Sequence, residues 1–181
     1  ILGALDTWNW TRKSDSKLIL GAVMAAYCSG AHVWRVHTFI HGIAGSGKSH
    51  LMKTIAALMG SAGRYTTGSS PVSVRQALAG NAISSICDEQ GSDSGHVSAL
   101  MQFFKDASGG GFLEKGDKNQ GAVKRYQLAT TGFVSGVHLP MMDEQQNGRF
   151  MLVSLDKIDA VRAENRHHLI GNKNDHSFPE L

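Results

Sequence analysis

Apolar residues recur with a helical period in some stretches of the chain and form short continuous runs in others, and the two kinds of stretch alternate. Between Ser49 and Leu58, residues Leu51, Met52, Ile55 and Leu58 fall on one helical face, as do Val97, Leu100, Met101 and Phe104 between about Gly95 and Ala107. Ser14 or Asp15 can cap a helix from Ser16 to about Cys28, ended by Gly30, and Ser70 can cap another that has Pro71 in its first turn and runs to about Ala79. The runs Val33–Ile40, Arg64–Thr67, Ala82–Cys87, Gln127–Thr131 and Phe150–Leu155 are rich in β-formers and predict strands. Leu5 to Arg12, with Trp8 and Trp10, predicts an N-terminal segment whose aromatics dock on the domain. Phe112 to Tyr126 is broken by glycines and basic, which suits a hairpin. Strands alternating with helices predict an α/β fold, a mostly parallel sheet sandwiched by helices, with ligand at the C-terminal ends of the strands. The predicted organisation is a helical N-terminal segment over 1–35, a core over 36–156 and a polar tail over 157–181.

One turn between a predicted strand and helix carries specific chemistry. Residues Gly42-Ile43-Ala44-Gly45-Ser46-Gly47-Lys48-Ser49 match G-x-x-x-x-G-K-[ST], the Walker A phosphate-binding loop. Gly45 and Gly47 can adopt backbone conformations closed to other residues, so successive N–H groups can point inward at phosphate oxygens. The N-terminus of the following helix adds roughly half a positive charge there. Lys48 can reach the β and γ phosphates, and the Ser49 hydroxyl can hold magnesium. Gly42, Gly45, Ser46, Gly47, Lys48, Ser49 and His50 are thus candidate ATP-binding residues in a P-loop NTPase fold.

Asp88-Glu89 follows the apolar run Ala82–Cys87. A carboxylate ending such a strand can hold the magnesium shell through water, and Asp88 takes that place. The next residue, Glu89, is placed to orient and deprotonate a water attacking the γ-phosphate; its other reading is an exposed loop acid. Thr130 and Thr131 end the predicted strand Gln127–Thr131 and are expected in the layer of the loop, where a hydroxyl can touch the γ-phosphate or the lytic water. Arg149, in a loop entering a strand, is either a surface arginine or a finger for the γ-phosphate of a neighbouring subunit. Lys115, Lys118, Lys124 and Arg125 lie between these motifs in a glycine-containing segment, expected to project from the sheet's C-terminal edge or a central pore. They suit either contacts to a nucleic-acid backbone or an ordinary solvated hairpin.

The 181 residues are enough for one nucleotide-binding domain with a real core. The chain begins at Ile1 and reads as a piece of something longer. The two cysteines, Cys28 and Cys87, are far apart and expected in apolar surroundings, which is neither a disulfide framework nor a zinc spacing and fits a reducing, cytoplasmic setting. Nine histidines show no Cys/His cluster with ligand spacing, so hydrogen-bonded structural roles are expected. No apolar run reaches the roughly 18 residues of a membrane span. A net charge of +3 is mildly basic and by itself says little about an anionic partner.

In their order along the chain these motifs resemble the ATPase domain of phage- and plasmid-type primase-helicases, close to the superfamily three helicases of the AAA+ group. The resemblance runs from about Trp8 to Asp156. Walker A is followed about forty residues later by Ile86-Cys87-Asp88-Glu89, and the stretch Ser69–Leu78 matches the helix before Walker B. Lys115 to Arg125 then occupies the place of the DNA-contacting hairpin, Thr130 and Thr131 the sensor, and Arg149 the arginine finger. The sensor of the family is usually asparagine, and the hairpin here lacks a lysine-x-histidine signature. The resemblance implies hexameric rings that hydrolyse ATP with magnesium at subunit interfaces and pull single-stranded DNA through the centre. It also implies a primase domain or partner, and the cytoplasm of a host if the protein is phage-encoded. Two other classes compete with this reading: a small-molecule or nucleotide kinase, opposed by Glu89 and by the lack of an arginine-rich lid, and a nucleotide-gated assembly module without translocation.

Overall fold

The structure, a computed structural model, describes residues 1–68, 70–78, 81–88, 94–116, 123–139 and 141–157. Helices α1 (Leu2–Leu5) and α2 (Asp15–Tyr27) precede β1 (His37–Gly42), α3 (Lys48–Met59), β2 (Gly63–Thr67), α4 (Pro71–Leu78) and β3 (Ser84–Asp88). Then follow α5 (Ser94–Ala107), β4 (Phe112–Gly116), β5 (Val123–Gln127), β6 (Gly132–Gly136), α6 (Glu144–Asn147) and β7 (Phe150–Leu155). Five strands form one sheet in the order β2-β3-β6-β1-β7, with every pairing parallel. Strands β4 and β5 pair antiparallel as the hairpin expected between Phe112 and Tyr126.

Side-chain alternation along each strand divides the core between the two faces of the sheet. On one face Ile40, Ile86, Phe133 and Val153 pack with Ile19 and Val23 of α2 and Leu51, Met52 and Ile55 of α3. On the other, Phe39, Cys87, Val134 and Phe150 pack with Val74 and Leu78 of α4 and with Val97, Leu100, Met101 and Phe104 of α5. Burying one such side chain contributes about 1.5–3 kcal/mol, so the helical faces seen in the sequence are what fix the helices on the sheet. The N-terminal segment docks as expected. Trp8 is fully buried, Trp10 bridges antiparallel to Leu155, and the Trp10 indole donates to the Leu5 carbonyl at 2.8 Å. Asp15 does not cap α2 through its side chain. It is buried, pairs with Arg12 at 3.0 Å and accepts from the Ser154 amide, which ties α2 to β7.

Three expectations are corrected. The first strand starts at His37 rather than Val33, because the Arg35 amide donates to the Ser108 carbonyl after α5 and so carries residues 33–36 along the sheet's N-terminal end. The stretch Gln127–Thr131 is not a sheet strand. Gln127 ends the hairpin, and the sheet strand is β6, whose glycine ends hide it in the sequence. Gly132 must be glycine, since a Cβ there would stand 2.5 Å from two ring carbons of Phe104. Cys28 is exposed rather than in apolar surroundings, whereas Cys87 is buried. No helix among the described residues is long and apolar enough to cross a membrane.

Candidate functional site

Cα register places the C-terminal ends of the strands on a common scale. Thr67, Asp88, Ser135, Ile40 and Val153 share one row across the sheet, and Gly42 ends β1 two residues above it. The loop from Gly42 to Ser49 therefore rises from the C-terminal end of a strand inside the sheet, with Asp88 close by on β3. Gly45 and Gly47 have φ of 79° and 88°, in the left-handed region where glycine is at ease. At Gly42 a Cβ would lie 2.6 Å from the Ser46 hydroxyl and 2.8 Å from the Leu155 carbonyl, so only glycine lets the loop fold over this strand end. Gly47 is the N-cap of α3 and, having no side chain, offers no side-chain cap. The N-terminus of α3, with its partial positive charge, thus follows directly on the loop.

Lys48 is buried inside this turn, its ammonium donating to the carbonyls of Gly42 and Ile43. Burial pushes its pKa below the usual lysine value, while Asp88 acts in the opposite sense. The Ser46 hydroxyl is buried and finds no hydrogen-bond partner among the described residues. An orphaned donor, a cradle that a Cβ would fill, a cation on loop carbonyls and a neighbouring carboxylate form a donor set suited to a phosphate chain with magnesium. Ser49 and His50 stand in the first turn of α3, and the His50 ring packs 5.6 Å from that of Trp8. The Trp8 indole donates to the Gly47 carbonyl at 3.1 Å, so the N-terminal segment holds the loop from behind.

Asp88 is almost wholly buried at the end of β3. One carboxylate oxygen accepts from the Tyr65 hydroxyl at 2.9 Å and the other from the Ser135 hydroxyl at 2.7 Å. Burial, then the hydrogen bond to Asp88, pushes the Tyr65 phenol above its usual pKa, so it remains a donor. Sequence reasoning misses Trp8, Tyr65 and Ser135 as parts of the site. It expects Trp8 only to dock, and the signal for Ser135 would have been recognition of Gly132–Gly136 as a strand.

Other expected site residues lie elsewhere. Thr130 and Thr131 precede β6 instead of ending a strand beside the loop, which corrects their expected layer. Thr131 stands four residues before Ser135, about 13 Å away at ~3.3 Å per residue. The Thr130 hydroxyl donates to the Ile83 carbonyl at 2.8 Å, and the Ser85 amide donates to the Thr131 carbonyl. These bonds join the threonines to the start of β3. Arg149 directly precedes β7 and is also at the N-terminal end of the sheet. It donates to the Lys105 carbonyl at 2.7 Å and lies 5.0 Å above the Trp34 ring.

The β4–β5 hairpin springs from that same end. The Leu128 amide donates to the Gly111 carbonyl at its base, just beyond the Ser108 carbonyl that receives the Arg35 amide. The expected projection from the C-terminal edge is thus corrected. The register sets Lys115 opposite Lys124 and Glu114 opposite Arg125. Glu89 and Lys118 lie outside the described residues. No group of three or more His, Cys, Asp or Glu suited to a metal ion occurs among the described residues. His37 has a structural place, buried between the Gly132 amide and the Ser108 hydroxyl.

No protein-family model matches the chain, and no curated protein sequence matches it. Among solved structures, the chain is similar to the apo A form of the C-terminal region of NrS-1, with a TM-score of 0.57 and 12% identity. The likeness covers 92% of this chain but only 42% of that one, so the chain spans less than half of its length. It shows a shared fold: an α/β domain with a five-stranded parallel sheet flanked by helices.

Proposed function

We propose that the chain is the ATP-hydrolysing motor domain of a ring-forming replicative DNA helicase of a phage, plasmid or other mobile element, translocating on single-stranded DNA. The observation that carries this reading is the Gly42–Ser49 loop at the C-terminal end of β1, with Lys48 folded into it and buried Asp88 beside it. In use, the Lys48 ammonium exchanges its two loop carbonyls for β- and γ-phosphate oxygens. The loop amides and the Ser46 hydroxyl take further oxygens. Ser49 would hold magnesium through its hydroxyl and Asp88 through water; when bound, the ion neutralises charge on the β- and γ-phosphates. Glu89, directly after Asp88, accepts the proton of the attacking water. The sensor place falls to Ser135, in the row of Asp88, rather than to Thr130 and Thr131.

The DNA-translocating part of the reading is supported by the order of motifs and by the basic segment of sequence carrying Lys115, Lys118, Lys124 and Arg125. Arg149 lies at the opposite end of the sheet from its own loop, so any γ-phosphate that it serves belongs to another chain, which fits a homo-oligomer. ATP turnover with and without single-stranded DNA tests the proposal. Magnesium-dependent phosphate release stimulated by DNA is expected, with Glu89→Gln retaining ATP binding and losing hydrolysis. Phosphate transfer to a small acceptor would replace this reading by a kinase, and nucleotide binding without any turnover by an assembly module.

A further inference from the structure

Tyr65 has no place in the motifs, yet its hydroxyl is bonded to the carboxylate on which the magnesium site depends. It sits on β2, the edge strand beside β3, and the register pairs it with Ile86, two residues before Asp88. Its ring is half-buried and packs against the core on the α2–α3 face. The hydroxyl therefore approaches Asp88 from an anchored ring, at 2.9 Å. Ser135 approaches the other oxygen from β6, at 2.7 Å. Asp88 thus has a donor on each side, one from each strand flanking β3. Two donors on separate oxygens oppose rotation of the carboxylate, and each oxygen keeps a lone pair for a metal-bound water. A carboxylate buried without such donors would bear the full desolvation penalty and turn to find others.

We propose that Tyr65 is a positioning residue that holds the Asp88 carboxylate in the orientation that receives the magnesium hydration shell. The inference rests on the reading of Asp88 as the magnesium carboxylate. Groups that orient metal-binding carboxylates typically change metal affinity by 10–100-fold, so an effect of about tenfold is expected from the loss of one hydroxyl. The ring is unchanged in Tyr65→Phe, so packing on the α2–α3 face is kept.

The test uses the full chain and its Tyr65→Phe variant. Mn²⁺ binding is followed by electron paramagnetic resonance with a non-hydrolysable ATP analogue, and analogue binding is measured separately in EDTA. The variant is expected to need about tenfold more metal for half-saturation, while its metal-free affinity for the analogue stays within about twofold of wild type. Turnover should recover toward the wild-type maximum as magnesium is raised. Unchanged half-saturation would overturn the proposal. So would an equal loss of analogue affinity in EDTA, or a fall in maximal turnover that magnesium does not restore, because each would mark Tyr65 as structural. If the wild type itself binds no Mn²⁺ with the analogue, the underlying nucleotide reading fails instead.

Discussion

His37 shows how one buried side chain links folding to pH. Its Nδ1 accepts from the Gly132 amide at 2.9 Å, so the proton rests on Nε2, which faces the Ser108 hydroxyl at 3.0 Å. Burial above all, with Arg35 and Arg149 adding like charge and Phe104's backbone opposing them, lowers its pKa to about 3. The unfolded chain therefore binds a proton below about pH 6.5 that the folded chain refuses until about pH 3. Stability from the neutral imidazole is complete above that upper value and falls as the pH drops through the window, by at most ~1.4 kcal/mol per pH unit. Urea unfolding at several pH values should show this slope in wild type. His37→Gln is expected to be less stable at pH 7 but shallower in its acid dependence; equal slopes would remove His37 from the account. The loop glycines are legible in the sequence because their requirement is local. The Asp88 partners are not, since Tyr65 and Ser135 are 23 and 47 residues away and meet it only through strand register.

Among the elements, β6 shows why part of the sheet escapes a reading of the sequence. It is an internal strand between β3 and β1, but glycine at both ends reads as a turn signal, and the β-forming threonines before it draw the strand too early. The glycine at its start serves packing. Gly132→Ala would press a methyl into the Phe104 ring, and an overpacked core of this kind typically loses about 1–3 kcal/mol. A chemical-denaturation curve for Gly132→Ala should show that loss, and Phe104→Leu added to it should return part of it as a non-additive term. Simple additivity would mean that the two side chains do not compete for the space. The helices α3 and α5 are easier to read because their apolar faces repeat over two turns or more, and α4 because Ser70 and Pro71 mark its start, where the Ser73 amide donates to the Ser70 hydroxyl. The hairpin is legible as a hairpin, whereas the end from which it springs depends on tertiary contacts at Ser108 and Gly111. Neutralising Lys115, Lys118, Lys124 and Arg125 together should weaken single-stranded DNA binding and flatten its salt dependence, by ~0.7 in slope for each phosphate that the hairpin no longer neutralises. Basal ATP turnover should survive, because the hairpin leaves the sheet at the end opposite the loop. An unchanged affinity and slope in a salt titration would place DNA away from this hairpin.

At the scale of the whole molecule, the sheet separates two sets of chemistry. Lys48, Asp88 and Ser135 gather at the C-terminal ends of the strands, while Arg149 and the hairpin lie at the N-terminal ends. This arrangement makes a prediction about assembly. Arg149→Ala should leave ATP binding to an isolated subunit nearly intact but suppress turnover of the oligomer. Mixing it with a Lys48→Ala chain should restore turnover at mixed interfaces, because one chain then supplies the arginine and the other the lysine. Failure of rescue, with mixed assembly shown by native mass spectrometry, would count against action between chains. The change is not silent for the subunit, since Arg149 also bonds the Lys105 carbonyl and covers Trp34. Thermal unfolding of the variant separates that structural contribution from the catalytic one.

In the proposed function the Gly42–Ser49 loop binds and helps to hydrolyse ATP, with Lys48 as its cation. The most direct test of this role measures ATP affinity and phosphate release side by side in wild type and in folded Lys48→Ala, with magnesium present. Magnesium-dependent turnover is expected in wild type, with binding weakened and turnover abolished in the variant, because the ammonium proposed to face the β- and γ-phosphates is gone. Wild-type turnover in the folded variant would contradict that role.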